Sequence, residues 1–180
     1  MENQKLINFL NQELSNYYVM NVKLHRYHWF IEGRNFFQLH AKFQELYEMF
    51  MEDLDEIAER VLMIGGRPLA TMKKYLKETT IDEATADDEE VEIIDQLLSD
   101  LKQLTNEMKD TGIPLAEELK DAPSADLLTS LSGKLEKYIW MFDAHLGKER
   151  EQQTGLRETN EETSYRNSRP DRSGENHTQH

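Results

Sequence analysis

A chain of 180 residues with 21 Lys and Arg against 35 Asp and Glu carries a formal net charge of −14 and fits one domain. The absence of cysteine excludes disulfide frameworks, thiolate zinc sites, iron–sulfur clusters and cysteine nucleophiles. The opening MENQKLINFL lacks the basic start and apolar core of a secretory leader, and no run reaches the roughly 18 apolar residues of a membrane span. A cytoplasmic protein that does not insert in membranes is the expectation, and its acidity disfavours plain phosphate-backbone binding.

Hydrophobic residues make up 38% of the chain, so a core requires that they be concentrated. They are. Leu6, Phe9, Leu10, Leu14, Tyr17, Met20 and Leu24 recur at three- and four-residue steps and predict a first helix with one buried stripe, ending near Ile31 to Asn35. Gly33 suits the tight connection, and Asn35 is expected to cap the next helix. A second helix runs from Phe36 to Ile64, carrying Phe43, Leu46, Phe50, Leu54, Ile57 and Val61, and stops at Gly65-Gly66 before Pro68. Met72, Tyr75 and Leu76 predict a short amphipathic helix in the long connection that follows.

Thr85 to Asp88 reads as a capping box. The third helix carries Val91, Ile94, Leu97, Leu98, Leu101, Leu104 and Met108 to Gly112, then continues past Pro114 with a kink and breaks at Asp121 to Pro123. A fourth spans Ser124 to Leu146. The expected architecture is an all-α four-helix bundle with one short extra helix between the second and third helices. Residues 1–150 form this domain, and residues 151–180 read as a polar, disordered tail, because after Gly155 only Leu156 and Tyr165 are apolar or aromatic.

Three of the six histidines, His25, His28 and His40, lie beside the turn between the first two helices. A short loop makes those helices antiparallel neighbours, so His28 and His40 can face one ion; the alternative for His28 is a hydrogen-bonded core histidine. Imidazoles combined with carboxylates suit iron, zinc or manganese. Asp55 and Glu59, four residues apart, share a face of the second helix. They are either ligands or part of its solvated acidic line with Glu45, Glu48 and Glu52.

His40 and Asp55 are about 22 Å apart along a straight helix at 1.5 Å per residue, so one chain cannot bring both to one metal. A second copy, packed antiparallel about a two-fold axis, can.

The runs LHRYHWFIEGRNFFQLHAKFQELYE, DEIAERVLMIGGRP and KYIWMFDAHLG resemble the Dps family, the mini-ferritins of the ferritin-like superfamily, over roughly Leu6 to Leu146. The resemblance implies a ferritin-like bundle assembled as a dodecameric shell. It also implies that His28 and His40 of one subunit join Asp55 and Glu59 of its neighbour to bind iron. Fe(II) is then oxidised by hydrogen peroxide or dioxygen, and ferric mineral is stored inside, limiting oxidative stress.

Where the family usually carries an acidic ligand, this chain has Gln44, a neutral and weaker metal ligand. The expectation is one tightly held metal with a second bound transiently. Asp126, and less directly Asp121 and Glu118, are candidate pore residues; Glu48 and Glu52 are candidates for seeding mineral. Trp29 is expected to pack an interface, with quenching of oxidising intermediates as the alternative, and His25 to support His28. DNA binding is expected to be weak or absent. The alternatives are a non-redox divalent-metal shell and a DNA-associated structural protein with a weakened iron site.

Overall fold

The computed structural model describes residues 3–84 and 89–167, with side chains through Gly147. Helix α1 covers Gln4–Phe30 and α2 covers Phe36–Met63. The short α3 is Met72–Glu78, and α4 is Glu90–Glu107. A π-helical turn, Met108–Gly112, leads into α5, Ile113–Glu118, and α6 runs Ala122–Asn167. The chain is a four-helix bundle with α3 as the extra helix in the α2–α4 connection.

The helices form where the apolar stripes predict them because each stripe has a partner. Leu10, Tyr17 and Leu24 of α1, Phe43, Phe50 and Ile57 of α2, Ile94, Leu97 and Leu101 of α4, and Leu128, Leu131 and Leu135 of α6 are fully buried. Each such side chain contributes about 1.5 to 3 kcal/mol by leaving water. The bundle unit ends at Asp143; Ala144 begins a second unit, through which α6 runs to Asn167. Residues 168–180 of the expected tail, and the Thr85–Asp88 capping box, lie outside the described residues.

Three local expectations change. Asn35 precedes α2 but makes no side-chain cap; its amide instead donates to Glu90 Oε1 at 2.8 Å, tying the α1–α2 turn to the start of α4. The third helix accommodates Pro114 by the π-turn before it, where the Ile113 N–H reaches the Met108 carbonyl, five residues back. The fourth helix starts at Ala122 rather than Ser124. Asp121 caps it, accepting from the Ser124 N–H at 3.2 Å and the Ser124 hydroxyl at 2.6 Å.

Candidate metal centre

The α1–α2 turn needs one residue with positive φ, and Gly33 supplies it at +103°. The turn returns the chain antiparallel and sets His28, in the last turn of α1, against His40 in α2. Their imidazoles stack, with centroids 3.6 Å apart and planes 19° from parallel. The Nδ1–H of His28 donates to the His40 carbonyl at 2.7 Å, and the Nδ1–H of His40 donates to the His28 carbonyl at 2.7 Å.

A carbonyl oxygen cannot donate, so this reciprocal pair assigns a proton to both Nδ1 atoms. In the neutral form of each ring the lone pair is then on Nε2. The His28 carbonyl is among the last four of α1, which lack helical donors, so the contact also completes the helix end. Phe36 stacks on the His40 ring at 4.9 Å, and Tyr47 meets the His28 ring edge-on at 5.4 Å. Two imidazoles oriented through Nδ1, with Nε2 as the atom available to a ligand, form a donor set that fits a divalent metal.

His25 lies outside this pair. Its Nδ1–H donates to the Asn21 carbonyl at 2.8 Å, and its ring stacks on Tyr47 at 4.0 Å, so it buttresses the tyrosine that packs on His28.

Asp55 and Glu59 are exposed on the far half of α2. Among the described residues, no group of three or more His, Asp or Glu is gathered to hold a metal within one chain. The fold thus brings His28 and His40 together and leaves Asp55 and Glu59 apart from them. Exposed apolar side chains flank both halves. Trp29, 66% exposed, and Phe37, 81%, adjoin the histidines, whereas Leu62 and Met63, 59% and 70%, follow Glu59.

Gln44 is exposed one turn beyond His40, and its Nε2 donates to Glu48 Oε1 at 2.9 Å. Because a carboxylate only accepts, the amide N–H₂ must face Glu48, and the Gln44 carbonyl oxygen is the atom left for a metal. Glu45 is committed elsewhere, accepting from Lys42 Nζ at 2.6 Å and the Tyr138 hydroxyl at 2.5 Å. Lys42 first, then Tyr138, hold its carboxyl below the usual glutamate range.

Asp121 is likewise engaged, accepting from Arg60 Nη2 at 2.6 Å as well as capping α6. Burial alone would raise its pKa, but hydrogen bonds from Ser124 and Arg60 bring it below the ordinary value. Asp121 is half-buried between these partners, whereas Asp126 and Glu118 are exposed.

Sequence reasoning passed over Asp53 and Glu13. Asp53 is buried and pairs with Lys134 Nζ at 2.5 Å, and Glu13 is wholly buried in α1. Their spacing was the available signal: Phe50, Asp53, Leu54 and Ile57, like Leu10, Glu13, Leu14 and Tyr17, put an acid on the apolar stripe.

A family model for the ferritin-like domain matches residues 7–151. The chain is 38% identical over 144 residues to general stress protein 20U of Bacillus subtilis, spanning 80% of this chain and 99% of that protein. It is 42% identical over 137 residues to the DNA protection during starvation protein of Brevibacillus brevis, spanning 76% and 91%. The structure of Dps from Listeria innocua soaked with zinc is similar at a TM-score of 0.76 and 39% identity, covering 79% of this chain and 96% of that one. Dps from Staphylococcus aureus is similar at a TM-score of 0.77 and 33% identity, covering 79% and 95%. With matches of this extent and a four-helix bundle carrying the extra helix α3, the chain belongs to the Dps family of ferritin-like proteins.

Proposed function

We propose that this protein is a ferroxidase that oxidises and stores iron in a homo-oligomeric, dodecameric shell in the cytoplasm. Its substrate site is shared by two subunits, with His28 and His40 from one and Asp55 and Glu59 from the other. The observation that carries this reading is the reciprocal hydrogen bonding of His28 and His40, which fixes both tautomers for metal binding through Nε2. The exposed apolar residues flanking both half-sites support a second copy as the missing half, since such surface is stabilised when a partner covers it.

In this reading Fe(II) is the substrate. The two imidazoles and two carboxylates bring it from water into a partly enclosed site where the carboxylate charge favours Fe(III). Two Fe(II) ions give two electrons to one hydrogen peroxide, whose O–O bond breaks and which leaves, with two protons, as two waters. The ferric ions are then released to the shell interior as mineral. Dioxygen is the alternative oxidant. Gln44 offers a neutral oxygen to the second iron position, which is therefore held more weakly. The net charge of −14 argues that direct DNA contact is weak.

Gln44 also favours a second reading, a divalent-metal shell that binds without redox turnover. Anaerobic Fe(II) loading followed by peroxide in a stopped-flow spectrometer separates the two. Ferric absorbance should rise rapidly in the native protein. It should rise at least about tenfold more slowly in His28→Ala and in Asp55→Ala, tested separately. Rates equal to those of uncatalysed iron would leave only the binding shell.

A further inference from the structure

A second cluster, away from the histidines, runs from the bundle interior at Glu13 to its surface at Thr80. Glu13 of α1 is fully buried, and its Oε1 accepts from Asn16 Nδ2 at 3.3 Å, whereas its Oε2 has no donor. The same Asn16 Nδ2 lies 3.2 Å from Glu107 Oε2, which sets Glu13 beside Glu107 at the end of α4, immediately before the π-turn. Glu107 is richly supplied: its Oε2 accepts from Gln12 Nε2 at 3.3 Å, Asn16 Nδ2 at 3.2 Å and the Thr80 hydroxyl at 2.9 Å. Its Oε1 accepts from Gln103 Nε2 at 3.0 Å.

Four donors stabilise a carboxylate on Glu107, whereas Glu13 has only the amides of Asn16 and Gln12, too little to stabilise a second buried charge beside it. A proton on Glu13 resolves both problems, giving its acid group a hydrogen bond to donate and removing the repulsion. We propose that Glu13 holds a proton in the folded protein and donates it to Glu107, and that this acid pair latches the α2–α4 connection, at Thr79 to Ile81, onto the bundle.

The latch follows from what the pair's neighbours hold. Asn16 Oδ1 accepts from the Thr79 hydroxyl at 2.8 Å and from the Thr80 N–H at 2.8 Å. Gln103 Nε2, already on Glu107, also donates to the Thr80 carbonyl at 2.9 Å. The connection is therefore fastened by the same Asn16, Gln103 and Thr80 side chains that cradle the acid pair.

Among the described residues, no cation stands by Glu13 to compensate its charge. On α1 its neighbours are Gln12, Asn16 and Tyr17, from α4 come Glu107 and Gln103, and from the connection Thr80. Asp53 of α2 faces Tyr17 and is itself paired with Lys134 of α6. Burial first, then the charge and hydrogen bond of Glu107, push the Glu13 carboxyl well above its ordinary value. Glu107 also lines a surface cavity of about 510 Å³ with Ser99, Asp110 and Thr111, which gives the proton a route to solvent.

The sign of the pH dependence follows. A raised folded-state pKa means that the stabilisation linked to this proton is complete below the ordinary glutamate value, about 4.3. It is lost as pH rises through the raised value. Between those limits, opening of the latch releases one proton, so the opening constant should grow about tenfold per pH unit.

Two measurements on the assembled protein test this. Infrared spectra at neutral pH should contain a protonated-carboxyl band that Glu13→Gln removes. Hydrogen exchange at the Thr80 and Ile81 amides, corrected for intrinsic base catalysis, should accelerate about tenfold per pH unit in the native protein and lose that slope in Glu13→Gln. If Glu13→Gln does not assemble, Glu107→Gln serves instead, and the band should shift because the acid now donates to an amide. Absence of the band, an unshifted band in Glu107→Gln, or equal exchange slopes in native protein and Glu13→Gln would each overturn the proposal.

Discussion

Gln44 stands one helical turn beyond His40, where a carboxylate would bring a full negative charge to a metal. Replacing it by Glu adds that charge and removes the amide donor to Glu48. The like-charge pair created at i,i+4 costs a few tenths of a kcal/mol, roughly 0.2 to 0.5. A charge-assisted metal contact outweighs it, and a gain of about 1.4 kcal/mol is tenfold in affinity. Gln44→Glu should therefore tighten the second metal position about tenfold and bring anaerobic titration with Fe(II) or Co(II) to two ions per site. An unchanged isotherm would remove Gln44 from the ligand set. The position of Gln44 was legible in the sequence, but the orientation of its amide was not, because only the neighbouring Glu48 decides which amide atom turns outward. The same holds for Glu45, whose place in the acidic line gave no hint that Lys42 and Tyr138 occupy it.

Among the elements, the segment from Glu90 to Glu118 departs furthest from a simple amphipathic helix. Pro114 signals a disturbance, but the sequence alone does not distinguish a kink from a π-turn. The π-turn sets Gly112 against Phe9 of α1 and Leu128 of α6, where an added Cβ would overlap Phe9 Cε1 and fall 2.9 Å from Leu128 Cδ1. Gly112→Ala should lower stability by about 1 to 3 kcal/mol through overpacking, read as a lower thermal midpoint. Gly133→Ala, within α6 and with nothing within 4 Å of the added carbon, should raise it by about 0.5 to 1 kcal/mol. A fall of equal size in both would mean that close packing at Gly112 is not the cause. The other helix limits were legible within a few residues, because turn residues and apolar spacing act locally. Asn35 does not cap α2, and local pattern does not reveal this because its acceptor, Glu90, is 55 positions away in sequence.

At the scale of the whole molecule, the proposed sharing of the site between subunits makes a quantitative prediction. One chain carries His28→Ala with His40→Ala, and the other carries Asp55→Ala with Glu59→Ala. Each should be inactive alone. Co-assembled in equal amounts, random pairing makes half the two-fold pairs mixed, and each mixed pair has one intact site of its two. About one quarter of native ferroxidase activity should return. Ligands confined to one chain would give no recovery. The helix count, the connection with its extra helix, the histidine pair beside the first turn and the distance that separates His40 from Asp55 were all determined by the sequence. They depend on residue spacing, the fixed rise of a helix and the conformational limits of Gly and Pro. Only the tertiary structure decided which nitrogen of each histidine stays free, which acids are spent on Lys42, Arg60, Lys134 and Tyr138, and which acids, Glu13 and Asp53, are buried. Those outcomes depend on donors and acceptors from distant parts of the chain, whose meeting is fixed by packing rather than by local pattern.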